Sequence, residues 1–577
     1  MRATAARAAA LTAVLALTGL LPWLSGTDPA LSLLRARSAE QEPTPEALAA
    51  IRTDLGLDTG PVALLGRWAA GLLHGDLGVS WVSGTEVLPA VLAGLQVSLT
   101  LMGAAAAVAL LTGAALAAPA ALRGRVGTGT AAAALAALPE FLLALLLLIT
   151  VGVWLGRLPT SGWTGPAHLV LPALALGVPA GALLGRLVAE ALPAVLEERW
   201  VELWRGAGTS RRYVTTAALR RALPPLIPQF AMVAVGLTGG AVAVETVFAV
   251  PGLGRTALGA ARSQDLPLLQ GSVLALLTVG LLAGAVGAAV RRRLLGPALR
   301  DAGLTLPTAR PAPVPTAVPV ALGAVLLTTI GWGLLREPYA IHTTARLAAP
   351  SAAHPLGTDA LGRDVLARLG HGAVPTIGTA AAVCLLACLI GLLLGFLPDT
   401  ATGFADVTNA LPPVVAGIVV SAVTGPGTGA AALAVTLTAW PPLASHAAAL
   451  TQEIRASAFL TAQRAMGASP LWILSRHVLP AVAGPLARHA VLRLPGTALA
   501  LASLGFLGLG AQPPTPEWGL LLNESADYAE RAPVAALAPA VALALLAALA
   551  ALAVTLAGMT TRRHTTTSQR KTLSLAR

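Results

Sequence analysis

The sequence predicts an all-α polytopic membrane protein, two six-helix halves in one chain. Three observations carry that expectation. The first is composition: 56% of the 577 residues are hydrophobic and only 11% are charged, with a mean hydropathy of +0.76. So little polar surface cannot cover so much apolar bulk in water, and a lipid bilayer is the partner that such a chain requires. The second is a series of twelve apolar runs, most of them near the roughly 20 residues that a helix needs to cross about 30 Å of hydrocarbon. The third is an internal repeat. An arginine-rich helix, a glycine, a serine, a second helix and Leu-Pro follow one another from Trp200 through Gly208 and Ser210 to Pro224, and again from Glu453 through Gly467 and Ser469 to Pro480. Each copy leads into an apolar run and then a Gly-Leu-Gly: Gly252 to Gly254, 44 residues after Gly208, and Gly508 to Gly510, 41 residues after Gly467.

Taken in order, the chain opens with Arg2 and Arg7 ahead of an apolar run from Ala8 to Trp23. This run is read as a retained helix, not a cleaved signal peptide, because no clear small-x-small cleavage pattern follows it. From Ser25 to about Leu95 the residues are mixed in polarity, with Pro43-Thr44-Pro45 opening a short helix and Leu55-Gly56 closing it, as expected of an extracytoplasmic cap. Five further runs follow, Val97 to Ala118, Ala131 to Leu155, Leu169 to Leu184, Phe230 to Val250 and Gly271 to Val290. Arg123, Arg125, the arginines from Arg199 to Arg221, and Arg291 to Arg293 all fall on the side shared with the amino terminus, which the positive-inside rule makes cytoplasmic. Pro307, Pro311, Pro313, Pro315 and Pro319 then exclude a regular helix and mark a semi-rigid connector. The expected division is therefore residues 1–300, a cytoplasmic linker 301–317, and residues 318–577. The second half offers Val318 to Leu335, Thr376 to Leu397, Val407 to Val423, Ala430 to Leu450, Pro485 to Gly505 and Val534 to Leu556, with Arg562 and Arg563 ending it on the cytoplasmic side.

Between the runs, the Gly467 segment reads as two short helices: the first breaks at Gly467, and the second starts behind Ser469-Pro470 and stops at Pro480. The net charge of +12 comes almost wholly from arginines in such connectors, and with aromatics at 4% it reads as topology, not nucleic-acid binding. Lys571 is the only lysine, so no phosphate-binding loop of the Walker type and no ATP site are expected in this chain. Cys384 and Cys388, one helical turn apart in an apolar run, read as packing residues. His342, His354 and His371 are spaced too widely for a local metal motif, so no metal site is expected. Asp359 is expected to cap a helix through Arg363, Asp364 and Arg368, with Asp364 and Arg368 as an i,i+4 pair. Arg488, His489 and Arg493 read as residues snorkelling to the cytoplasmic interface, with a pore role as the alternative. Glu140 and Glu245 lie inside apolar runs, where an ionisable group is a functional candidate. No catalytic constellation is evident.

The motifs resemble those of a known family. A glycine-bearing loop between membrane helices, with Leu-Pro after it, resembles the signature loop of bacterial ATP-binding-cassette importer permeases. Val244-Glu245-Thr246-Val247-Phe248 with Pro251-Gly252-Leu253-Gly254-Arg255 is similar to the B-type subunit of dipeptide, oligopeptide and nickel importers. His354-Pro355-Leu356-Gly357-Thr358-Asp359 and Phe506-Leu507-Gly508-Leu509-Gly510 through Pro516-Glu517-Trp518-Gly519 are similar to the C-type subunit, so the chain resembles both subunits fused. The resemblance implies coupling loops that dock on separate ATPase subunits, carried here by Arg205, Gly206, Gly208 and Ser210 and by Arg464, Gly467, Ser469 and Pro480. Departures from the family pattern at Leu203 and Trp204, and at Thr461 to Gln463, concern that docking. It implies a pore or gate role, or structural hydrogen bonding, for Glu245, with Gly252, Gly254, Gly508 and Gly510 beside it; at the corresponding position the second half has Leu501. ATP and Mg would be bound by the partner subunits, with no cofactor in this chain. An extracytoplasmic binding protein would deliver short peptides, or alternatively nickel, opines or glutathione, across the plasma membrane. An ion-coupled secondary transporter is the reading from a different class, and it needs more intramembrane carboxylates than these two.

Overall fold

A computed structural model of the chain describes residues 2–26, 28, 30, 31, 33, 34, 44–123, 135, 136, 138–295 and 317–549. The linker at 301–316, Arg125, and Arg562 with Arg563 lie outside the described residues. Among the described residues there are no strands, only isolated bridges at Val79–Glu86 and Thr358–Asp364.

The first half runs α1 (Arg2–Gly19), α2 (Pro45–Asp54), α3 (Pro61–Leu73), α4 (Val87–Arg123), α5 (Glu140–Leu147, continued by a π turn Leu148–Trp154), α6 (Ala167–Leu196), α7 (Arg199–Gly206), α8 (Arg211–Ala222), α9 (Ile227–Val247), α10 (Leu253–Arg262) and α11 (Leu266–Leu295). The second half runs α12 (Ala317–Leu334), α13 (Val365–Gly395), α14 (Pro398–Thr408), α15 (Pro413–Thr424), α16 (Thr428–Arg455), α17 (Ala458–Ala465), α18 (Leu479–Phe506), α19 (Trp518–Ala526) and α20 (Pro533–Leu549). Among the described residues six spans are long and apolar enough to cross a membrane, including Arg211–Val247, which joins α8 to α9, and Pro470–Phe506, which ends in α18. With α1, α5, α12, α15, α16 and α20 the expected twelve are accounted for.

Two expectations are corrected here. The run Val407 to Val423 is not one helix: α14 ends at Thr408 and α15 starts at Pro413, because a proline disfavours the α conformation in the residue before it and Pro412-Pro413 enforces the break. Asp359 does not cap the outer helix. Gly362, at φ +80°, turns the chain between them, and it is Asp364 whose carboxylate accepts the Ala367 N–H (3.0 Å) at the start of α13. Asp364 then pairs with Arg336 (2.6 Å) and His354 (3.0 Å), while Arg368 goes to Asp359 (2.8 Å) and Glu524 (2.5 Å) instead of Asp364. Burial alone pushes the Asp364 carboxyl up, but the hydrogen bonds from Ala367, His354 and Arg336, with the Arg336 charge, outweigh it and hold the group below the usual carboxylate range.

Small residues set the closest packing, as they must where lipid supplies no hydrophobic drive between helices. Gly177, Gly181 and Gly185 form a stripe on α6 at spacing four, and a side chain on any of them would meet the backbone carbonyls of Ala105, Ala109 and Gly113 on α4. The second half places the glycines on the other partner, Gly391 and Gly395 of α13 against Leu443 to Ala448 of α16. The halves meet through α10 against α15, through a ring stack of Phe141 on Phe506 (5.5 Å), and through Gly280 against the Ala410 carbonyl. α1 crosses over to lie on α14, where Arg7 pairs with Asp406 (2.6 Å).

Candidate functional site

Each arginine-rich connector forms the same device. After α7, Gly208 takes φ +77°, and Ser210 caps α8 by accepting the Tyr213 N–H (3.4 Å). After α17, which Ser457 caps, Gly467 takes φ +85°, and Ser469 accepts the Trp472 N–H (3.3 Å) ahead of Pro470. A Cβ at Gly208 or Gly467 would meet nothing within 4 Å, so these glycines serve the left-handed conformation that L-residues disfavour, not a close approach within the chain. Gly206 differs: it is the last residue of α7. Arg205 and Arg464 sit in the last turns of α7 and α17, where a cation is favoured by the helix dipole. Large apolar side chains stand exposed on both loops, Leu203 and Tyr213 on the first, Phe459, Met466, Leu471 and Trp472 on the second.

Pro480 does not end the second helix, contrary to the sequence reading. The residues ahead of it, Leu474–Val478, widen into a π turn, which relieves the clash between a proline ring and the carbonyl four residues back, and α18 continues from Leu479 to Phe506. Pro224 and Pro225 are absorbed by a single 3-10 turn between α8 and α9. Each loop is thereby joined in sequence to a membrane-length span, Arg211–Val247 or Pro470–Phe506.

Those two helices wall a shared cavity of about 700 Å³. Its lining draws on α5, α6 and α9 of one half and on α14 to α16 and α18 of the other, and is mostly apolar. Among the described residues Glu140 and Arg493 are the two charged ones in it, with Gln229, Thr408, Asn409, Thr438 and Ser503 as uncharged polar groups. Glu245 is not in this wall. It is fully buried at the far end of α9, where its carboxylate accepts the Ser98 hydroxyl (2.5 Å) and the Arg255 N–H (3.0 Å), while Ser98 in turn accepts the Leu253 N–H (2.8 Å). Gly252 is small because the Glu245 carboxylate lies where its side chain would be, and Gly254 because Val242 does, with a Glu245 oxygen just beyond.

The second half builds the same clasp from a different carboxylate. Thr376, at the position of α13 that Ser98 holds in α4, donates to Glu517 (3.1 Å) and accepts the Trp518 N–H (3.2 Å); Glu517 also accepts the Leu520 N–H (2.9 Å) as the cap of α19. The second half therefore keeps a carboxylate at this place although Leu501 stands in the aligned position. Gly508 takes φ +74° beside Arg262, which reaches across the interface to donate to the Leu507 carbonyl (2.6 Å), and Gly510 packs on the Gly505 backbone.

Sequence reasoning singled out the glycines and Glu245 but missed Ser98, Thr376, Glu517 and Arg262. The signal for Glu517 was present, since an acid directly before a helix is a cap candidate. Ser98 and Thr376 had none beyond being polar within apolar runs.

A family model described as binding-protein-dependent transport system inner membrane component matches the chain twice, over residues 110–300 and 384–562. The chain is 41% identical over 187 residues to the di/tripeptide transport system permease protein of Pseudomonas aeruginosa, which covers 31% of this chain and 61% of that relative. It is 33% identical over 226 residues to the probable D,D-dipeptide transport system permease protein of Escherichia coli, covering 38% of this chain and 76% of the relative. To the nickel transport system permease protein of Escherichia coli it is 33% identical over 223 residues, 37% of this chain and 80% of the relative. The first of these relatives is thus spanned over less than two thirds of its length.

Proposed function

We infer the function from the premise that the chain belongs to the binding-protein-dependent transport system inner membrane component family, with two copies of the family unit in one polypeptide. It is the permease component of an ATP-binding-cassette importer, with residues 1–300 and 318–577 as its two transmembrane halves and 301–317 as the joint. Separate ATPase subunits dock on the two glycine loops, an extracytoplasmic binding protein delivers cargo to the opposite face, and both termini are cytoplasmic. The observation that carries this reading is continuity. Each loop exposes apolar side chains for a partner, and each leads through Arg211–Val247 or Pro470–Phe506 into the wall of the cavity shared by the halves. Displacement of a loop is then displacement of a cavity wall.

The cavity lining reaches Leu187 and Gln229, near the loop ends of α6 and α9, while Arg262 on Leu507 and Phe141 on Phe506 tie the halves together. This is the arrangement of an inward-facing state, with the glycine-rich turns near Glu245 and Leu507 as the outer gate. ATP-driven closure of the ATPase pair would push the loops together and part these contacts. The cargo is a short peptide, as the names of two of the relatives suggest for those proteins. The test is reconstitution in lipid. The chain alone should not hydrolyse ATP; with its ATPase pair, hydrolysis should appear and rise with loaded binding protein, and peptide should accumulate. Uptake that persists without any ATPase and collapses with the proton gradient would replace this reading with a secondary transporter.

A further inference from the structure

The cavity between the halves is apolar except for a few groups, and it holds one acidic and one basic residue that are not paired with each other. Glu140 stands at the first position of α5 in one half, with its carboxyl against Gly240, whose missing side chain leaves the space for it. Arg493 projects from α18 in the other half. Among the described residues neither side chain has an ion pair within 4.0 Å or a hydrogen bond to another residue, whereas Arg7, Arg186, Arg221, Arg336, Arg363 and Arg368 are all paired. An unpaired charge in a low-dielectric wall is costly and persists where a ligand or function compensates it.

The two charges set what an occupant must bring. One acid and one base facing a single space of about 700 Å³, within the range of small-molecule sites, are both satisfied by a ligand with a cation at one end and an anion at the other. A divalent metal ion would find one carboxylate and a repelling guanidinium, and among the described residues no group of three His, Cys, Asp or Glu is placed to hold one. A simple anion would leave Glu140 facing it. Resting on the importer reading above, we propose that Glu140 and Arg493 form a cargo subsite for a short zwitterion, the free ammonium at Glu140 and the free carboxylate at Arg493. Specificity then has a permease component in addition to that of any binding protein: a peptide must carry both free termini to hold both walls at once.

The test uses the full chain with its ATPase pair in nanodiscs, without binding protein, and saturation-transfer NMR with three probes: dialanine, N-acetyl-dialanine and dialanine amide. Dialanine should give a signal that falls roughly ten-fold or more with Glu140→Gln and likewise with Arg493→Gln, the size of loss that follows truncation of one partner of a desolvated charge contact. The N-acetyl probe should be insensitive to Glu140→Gln and the amide insensitive to Arg493→Gln. Exchanging the charges, Glu140→Arg with Arg493→Glu, should restore part of the dialanine signal by reversing the ligand, which a variant damaged in folding could not do. Equal binding of the three probes, or dialanine binding untouched by both single substitutions, overturns the proposal. No dialanine signal in the unsubstituted chain overturns it too. The importer reading is judged separately, by whether ATP hydrolysis by the unsubstituted complex responds to loaded binding protein; a response with failure of the NMR series sinks only the subsite.

Discussion

Replacing Gly467 separates two reasons for a glycine at the tip of a loop. Its φ is +85° and a Cβ would meet nothing within 4 Å, so the chain itself charges a substitution only for backbone conformation. An L-residue in the left-handed region costs about 1–2 kcal/mol, less for asparagine. That corresponds to roughly a 5–30-fold loss in the population of the loop conformation that presents Phe459, Met466 and Trp472. Gly467→Ala and Gly467→Val should therefore lower retention of the ATPase pair by about that factor, Gly467→Asn by less, with membrane insertion unchanged because the loop lies outside the packed helices. Gly208→Ala, at φ +77° and equally open, should match Gly467→Ala. Gly206→Ala is the control: the residue is helical with open space around it, and alanine there should be neutral or slightly favourable. Retention is read by co-purification and by titrating ATPase into nanodiscs. Equal behaviour of alanine at 206 and 208, or asparagine as damaging as valine at 467, would refute the conformational argument. Gly467→Trp far worse than Gly467→Val would mean instead that a partner backbone lies against the loop.

Other perturbations test other parts of the molecule. Gly181→Leu should force α6 from the Ala109 carbonyl of α4 and cost about 1–3 kcal/mol, seen as a lowered melting temperature in detergent, while Gly103→Leu, with open space at the α4 surface, should be neutral. Glu517→Ala should lose both the α19 cap and the Thr376 contact and destabilise the second half more than Thr376→Val does; equal effects would mean that the carboxylate acts only through the hydroxyl. Because the folded pKa of Asp364 lies below its unfolded value near 3.9, its contribution is fully present above about pH 4 and is lost as pH falls further, through the folded pKa. The melting difference between the native chain and Asp364→Asn should thus be constant from pH 7 to 5, and a difference already gone at pH 5 contradicts the assignment. With Cys384 and Cys388 replaced, Ala353→Cys should react with an impermeant thiol reagent in intact cells and Ala312→Cys should not; the reverse inverts the topology.

The fold class was legible because lipid imposes two demands that leave strong marks, an apolar run for every crossing and arginine between them. The loops were legible for a third reason: a left-handed turn demands glycine and a following helix demands a cap, and Gly208 with Ser210 and Gly467 with Ser469 print both in the sequence. Proline was misread at Pro480, since its local rule forbids a regular hydrogen bond but not a π turn that absorbs the defect. Asp359 and Asp364 were confused because both stand ahead of the same helix, and Gly362 between them decides which one caps. The cavity left no local mark, since Glu140 and Arg493 are 353 residues apart and meet one space only when the halves dock.

The two halves repeat their outer clasps more faithfully than their inner charges, and that difference has a physical reading. Both clasps place a carboxylate under the first turn of a short helix, and the second half restores this with Glu517 from outside the aligned position, so it is the contact that is repeated and not the residue. A contact rebuilt from another point in the chain satisfies a requirement of the fold: the backbone N–H groups at the start of α10 and α19 are buried and need an acceptor. The cavity obeys no such symmetry, with an acid from one half facing a base from the other. Two like charges there would repel across a low-dielectric space, whereas opposite ones hold a polar occupant with a direction. A homodimer of either half could not produce that arrangement, because it would carry two copies of Glu140 and no Arg493, or two of Arg493 and no Glu140. Divergence of the two copies is the step that gives this cavity a polarity, and their covalent fusion fixes the pairing at one copy of each.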